Sequence, residues 1–222
     1  MASLKKIAKD LLPQHMVDQL IYFKGGWGPN PYFPYNDESK SIFIHIPKTA
    51  GISVKRALFG GVKRDHIKLK YFEAYDRAKF KSYFKFAVVR NPYDRLVSSY
   101  FYIKKNQDGY SKRLSSLHDF PSFVSALTSD QIRKSIFKIP HFLPQVEFLK
   151  VRDGSIGVDF LGRFETLDSD FNSIIQRLGI QAELEHHNRT VHKSFQEYYD
   201  QATLAIVQKI YREDFELLGY PV

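Results

Sequence analysis

Cysteine is absent from the chain. That excludes disulfide stapling and cysteine-ligated metal, and it agrees with a reducing cytoplasm, where the protein is expected. Long apolar runs are missing too: nothing approaches the ~20 residues that span a bilayer, so no transmembrane segment is expected. Nor is there a signal-peptide core, because within MASLKKIAKDLLPQHMVDQL the residues Lys9, Asp10 and Gln14 break the apolar positions early. Leu4, Ile7, Ala8, Leu11 and Leu12 instead fall on one helical stripe, which predicts a short amphipathic helix docked on the core; contact with a membrane surface is the other use of such a stripe. Repeats and low-complexity tracts are also lacking.

What is present is a chain of 222 residues, 43% hydrophobic and rich in Phe and Tyr, a size and composition that fit one folded domain with a real core. Its net charge of +9 is unevenly placed. Between Lys48 and Arg113 stand 17 Lys and Arg against 5 Asp and Glu, whereas the remainder carries 16 basic and 19 acidic residues. A basic field confined to one segment suggests an anionic ligand there, although a solvated basic face would have the same composition.

Residues 24–40 are rich in Gly, Pro and Asn and read as a loop leading into a first strand. The expected division is therefore an N-terminal helix and loop over 1–40, packed on a domain over 41–222. Ser41-Ile-Phe-Ile-His-Ile46 is a near-continuous apolar run of strand length, as is Phe84-Lys-Phe-Ala-Val-Val89, with a weaker third at 158–164. Such runs suit parallel strands covered on both faces. Between them lie helical patterns: one opening at Asn91-Pro92 and running to about Ile103, one from Asp168 to Leu178 stopped by Gly179, and one after Asp200 carrying Leu204, Val207, Ile210, Tyr211 and Leu218. Alternation of this kind predicts an α/β domain, a three-layer, P-loop-like arrangement with a mainly parallel sheet flanked by helices. Ligands of such sheets bind beyond the carboxyl ends of the strands.

Two motifs sit at those ends. Pro47-Lys48-Thr49-Ala50-Gly51-Ile52-Ser53 follows the first strand and precedes a helix. Gly51 lets backbone N–H groups approach an anion, the helix start adds its positive end, Thr49 and Ser53 offer hydroxyls, and Lys48 offers a mobile charge. The loop is not the G-x-x-x-x-G-K-[ST] of nucleoside-triphosphate enzymes, and no Asp ends the second strand to hold magnesium. Arg90 stands there instead, opening Arg90-Asn-Pro-Tyr-Asp-Arg-Leu-Val-Ser98. An arginine fork and the Ser98 hydroxyl could hold a phosphate monoester without metal. Arg95 is read as structural, paired with Asp94 or with an acid elsewhere.

At these residues the chain resembles the PAPS-dependent sulfotransferases, enzymes that use 3′-phosphoadenosine 5′-phosphosulfate as donor. Ile-Pro-Lys-Thr-Ala-Gly-x-Ser is similar to their 5′-phosphosulfate loop, and 86–100 to their 3′-phosphate motif. The likeness is greatest to the carbohydrate sulfotransferases of the heparan and uronyl 2-O- and chondroitin 4-O-type and their compact bacterial members. It continues through Pro144-Gln145-x-x-Phe-Leu149, 162–167, His187-Asn188 and 211–220. The resemblance implies that Lys48 stabilises the leaving 5′-phosphate, that the loop from Pro47 to Ser53 binds it, and that Arg90 and Ser98 hold the 3′-phosphate. The product would be adenosine 3′,5′-bisphosphate, with no metal required. Asn188-Arg-Thr-Val-His-Lys-Ser194 resembles a late loop over the nucleotide, with Arg189, Lys193 and Ser194 as contacts. Ile52 departs from the small or polar residue often found in its place.

Transfer to a hydroxyl needs a base, and histidine suits that role. His66 lies between the first helix and the second strand, where the resemblance places the base of the 2-O-type enzymes. His141 is the second candidate, near the family's substrate-binding segment together with Gln145. His45 reads as a buried structural histidine. His186, His187 and His192 are spaced almost like metal ligands, but no suitable carboxylate joins them. The acceptor implied is a carbohydrate, for which the basic segment would suit an acidic glycan, with Tyr100, Tyr102 and Tyr110 available to stack on sugars. Other readings at this point are a P-loop kinase, a small hydroxylated metabolite as acceptor, and a non-catalytic anion-binding protein. Nucleic acid is not expected as a partner, because binding it would leave both phosphate motifs idle.

Overall fold

A computed structural model describes residues 30–61, 66–105, 114, 117, 119–185 and 194–222. The amphipathic stripe within 1–20 lies outside these. Three strands, β1 (Ser41–Ile44), β2 (Phe84–Val89) and β3 (Phe160–Arg163), pair in parallel in the order β1-β2-β3. Ser41 stands beside Phe84, and Phe86 beside Phe160. The apolar runs are continuous because both faces are covered. Ile42, Ile44, Ala87 and Val89 enter one core, while Phe43, Phe86 and Val88 enter the other.

Among the described residues the helices, in chain order, begin with α1 (Pro34–Ser39), α2 (Gly51–Phe59), α3 (Leu69–Tyr75), α4 (Arg77–Ser82) and α5 (Pro92–Lys105). They continue with α6 (Phe120–Ala126), α7 (Asp130–Ile136), α8 (Val146–Leu149), α9 (Leu167–Leu178), α10 (Gln201–Ile210) and α11 (Arg212–Leu218). Val54 of α2 with Phe171 and Ile174 of α9 covers one face of the sheet; Leu96, Val97, Tyr100 and Ile103 of α5 belong to the core on the other. Helices thus flank a parallel sheet on both sides, as the sequence pattern predicts.

Three local differences have physical causes. The expected loop before β1 contains α1, started by Pro34 and held by Asn36, whose Oδ1 accepts from Phe33 N at 2.7 Å and whose Nδ2 donates to Ser41 O at 2.8 Å. The helix after Asp200 is two helices. Asp200 caps α10 through Thr203 N at 2.8 Å, and the break falls at Tyr211, whose hydroxyl donates to Phe142 O at 2.7 Å. Finally, Tyr100 is buried in the core rather than presented to a sugar, since it points into the cluster with Phe120 and Phe123.

Candidate active site

Between β1 and α2 the backbone turns through two left-handed residues that are not glycine, Lys48 (φ 70°) and Ala50 (φ 61°). Each such residue costs about 1–2 kcal/mol, a strain found mostly at functional sites. The turn delivers the first N–H groups of α2, those of Gly51, Ile52 and Ser53, which have no intrahelical partner and no side-chain cap. Gly51 serves a purpose beyond close approach. A Cβ there would lie 2.0 Å from Cδ2 of His45, so only glycine leaves room for that ring. Thr49 departs from expectation. Its hydroxyl is buried and donates back to Ile46 O at 3.0 Å, so it fixes the loop rather than offering a proton to an anion.

The second motif holds the first. Arg95 Nε donates to Pro47 O at 3.0 Å, and Arg90 Nη1 donates to Lys48 O at 3.2 Å. Arg95 is structural, as expected, but it is Arg90 that pairs with Asp94, its Nη2 lying 2.8 Å from Oδ2. Arg95 is buried below the loop, and that burial pushes its guanidinium down from the usual range, with Asp214 as the opposing charge. The Arg90 guanidinium also lies over the Phe164 ring, 4.1 Å from its centroid. It is thereby oriented at the end of β2, beside the loop that follows β1. Ser98 is buried on α5, about two turns into the helix.

Gln145, expected near the acceptor, does something else. It is fully buried, its Oε1 accepting from Arg90 N at 2.9 Å and its Nε2 donating to Arg90 O at 2.8 Å. A side chain bonded at both ends to the backbone of Arg90 positions that residue and cannot also face a substrate. Nothing local in Pro144-Gln145 signals this, because the partner lies 55 residues away.

Three histidines converge next to the loop. The rings of His45 and His66 have centroids 4.6 Å apart, and those of His66 and His141 5.8 Å apart. Nδ1 of His66 lies 3.0 Å from His45 O. A carbonyl can only accept, so Nδ1 carries the proton and Nε2 of the neutral ring keeps its lone pair. His141 differs in character: burial, reinforced by the neighbouring His66, Arg95, Lys48 and His45, lowers its pKa to about 3. It stays neutral near pH 7 and binds a proton weakly. Tyr102 stacks on His141 at 5.0 Å, and the Lys48 ammonium sits 4.3 Å from the Tyr102 centroid. Lys48, Tyr102, His141, His66 and His45 are therefore one continuous group drawn from four separate stretches of chain.

Arg189 and Lys193, like His186, His187, His192 and Tyr110, lie outside the described residues. Ser194 is exposed at the start of a short turn of helix, Phe195–Tyr198, with its hydroxyl against Gln196. Among the described residues no three or more His, Asp or Glu side chains are grouped to hold a metal ion. His45 reads in the sequence as structural and Tyr102 as a ring for sugars; the glycine at position 51 hints at the place of the first, and the helical spacing of Tyr102 from Ser98 at that of the second.

A parallel α/β domain with a strained strand-to-helix loop, an arginine at the neighbouring strand end and a histidine cluster beside the loop has groups suited to receive an anion. The model of the sulfotransferase family matches residues 31–221, and the chain belongs to that family. It is similar to carbohydrate sulfotransferase 12 of Mus musculus, 29% identical over 84% of this chain and 59% of that protein. Carbohydrate sulfotransferase 14 of Danio rerio is 27% identical over 84% of this chain and 61% of its own length. The chain thus spans about three fifths of these curated relatives. No solved structure matches it significantly.

Proposed function

We infer that the protein transfers a sulfuryl group from 3′-phosphoadenosine 5′-phosphosulfate to a hydroxyl of a carbohydrate. The observation that carries this reading is the pairing of two anion-suited strand ends: the free N–H groups of 51–53 with Lys48 after β1, and Arg90 after the adjacent β2. A donor carrying phosphates at both its 5′ and 3′ positions needs two such places. The donor set fits without metal. Backbone N–H groups and the Ser53 hydroxyl would hold the 5′-phosphate, while Arg90 and Ser98 would hold the 3′-phosphate, Arg90 keeping N–H groups beyond those given to Asp94 and Lys48 O.

In the reaction, Nε2 of His66 accepts the proton of the acceptor hydroxyl as its oxygen attacks sulfur. The bond from sulfur to the bridging oxygen of the 5′-phosphate breaks in line, and the Lys48 ammonium meets the charge that develops on that oxygen. His141 suits the base role less well, because a group with a pKa of about 3 has little pull on a hydroxyl proton. The names of the relatives support a carbohydrate as acceptor.

Thermal stabilisation tests the reading. Adenosine 3′,5′-bisphosphate at ~100 times its dissociation constant should add roughly 2.7 kcal/mol, and a chelator should not alter the effect. Greater stabilisation by ATP with magnesium would overturn the assignment.

A further inference from the structure

Tyr102 is half-buried on α5, with its ring stacked on His141 at 5.0 Å and an interplanar angle of 19°. The Lys48 ammonium lies 4.3 Å from the centroid of the same ring. Resting on the function inferred above, we propose that Tyr102 is a positioning residue, whose ring face holds the Lys48 ammonium at the transfer site for the leaving phosphate.

The loop makes such a device useful. Lys48 is held by its backbone in a left-handed conformation, with its carbonyl fixed by Arg90, so its Cα position is set, and its four-carbon stem carries the ammonium from there to the Tyr102 ring. A carboxylate could hold the ammonium, but it would take N–H donors and cancel charge that the leaving phosphate needs. A ring face attracts the cation through its quadrupole and takes no N–H from it. His141 completes the arrangement, because a neutral imidazole braces the ring without placing a second cation against it.

A graded series of fluorinated phenylalanines at position 102 separates this from simple packing, since fluorination keeps the ring's shape and weakens its negative face. Turnover is read as transfer of labelled sulfate from the donor to a panel of unsulfated glycans, and to water. Tyr102→Phe should recover wild-type turnover within about twofold, and kcat should then fall stepwise across the series. The total fall should be roughly 2- to 30-fold, the range of a cation–ring contact at a decade per ~1.4 kcal/mol. Affinity for adenosine 3′,5′-bisphosphate, measured by calorimetry, should stay within about twofold. In a Lys48→Ala background the series should be flat. A flat series with Lys48 present, or an equal fall without it, overturns the role of Tyr102. Normal turnover in Lys48→Ala, or a wild-type chain that transfers to neither glycan nor water, would instead refute the underlying function, and the proposal with it.

Discussion

Lowering the pH from 6 to 5 should destabilise the fold through His141. In the unfolded chain its imidazole titrates near 6.5, while in the folded protein burial and neighbouring cations hold it at about 3. The folded state therefore binds fewer protons than the unfolded state throughout that interval. Stability from this group is fully present above pH 6.5 and is lost as pH falls toward 3. From pH 6 to 5 the unfolded side chain passes from about three-quarters protonated to nearly all protonated, while the folded one stays neutral, so linkage gives a loss of about 1.2 kcal/mol. Urea denaturation at the two pH values, on wild type and on His141→Gln, measures the difference. The paired comparison matters because Asp214, whose carboxyl burial pushes up, works in the opposite direction and cancels between the two proteins. The substitution will lower stability at both pH values by removing the stack with Tyr102; only the change with pH carries the test. Equal falls in the two proteins would show that His141 is already charged or solvated in the fold, and the site description would be wrong.

Two further outcomes follow from the same geometry. Gly51→Ala should destabilise by roughly 1–3 kcal/mol, the usual cost of forcing atoms into a packed place, because the new methyl meets the His45 ring at 2.0 Å; an unchanged denaturation midpoint would mean that the ring moves freely. His66→Ala should leave bisphosphate affinity near wild type and cut turnover by roughly 10²–10⁴-fold, and the acid limb of the wild-type pH–rate profile should vanish with it. Weakened nucleotide binding in that variant would mark His66 as part of the phosphate site.

The parts of this structure that could be read along the chain are those whose physics is local. Strands β1 and β2 are continuous apolar runs because each is covered on two faces, and α9 is bounded by Gly179, which adopts φ 66° as its terminal residue. The strand–loop–helix and strand–Arg90–helix junctions were legible for the same reason. What escaped is long-range. Gln145 reads as an ordinary polar residue near a proline, and its two bonds to Arg90 need the sheet to be assembled first. Tyr211 carries the right spacing to continue a helix, yet the pull of Phe142 O and burial decide the break there. Thr49 is a hydroxyl in a phosphate-type loop, and the sequence cannot say whether it faces out or back to Ile46.

That long-range part gives a physical reason for the family likeness to run to 211–220, far from any reacting atom. Asp214 of α11 is fully buried and accepts from the backbone N–H groups of Gln145 and Val146, both at 2.9 Å. Gln145 in turn holds both backbone groups of Arg90, and Arg90 holds Lys48 O. A parallel tether ends six residues after Asp214: Tyr220 donates to Glu165 Oε2 at 2.9 Å, while Glu165 Oε1 accepts from Asn91 N at 2.6 Å. Arg163, over the Tyr220 ring at 4.4 Å, ties β3 into the same assembly. The strand end that presents Arg90 is thus fixed from behind by the last helix, and the strained loop is fixed from the side by Arg90 and Arg95. A strained turn persists only where its surroundings over-determine it. Here those surroundings reach from Pro47 to Tyr220, so the closing helix belongs to the site even though none of its side chains touches the loop's free N–H groups.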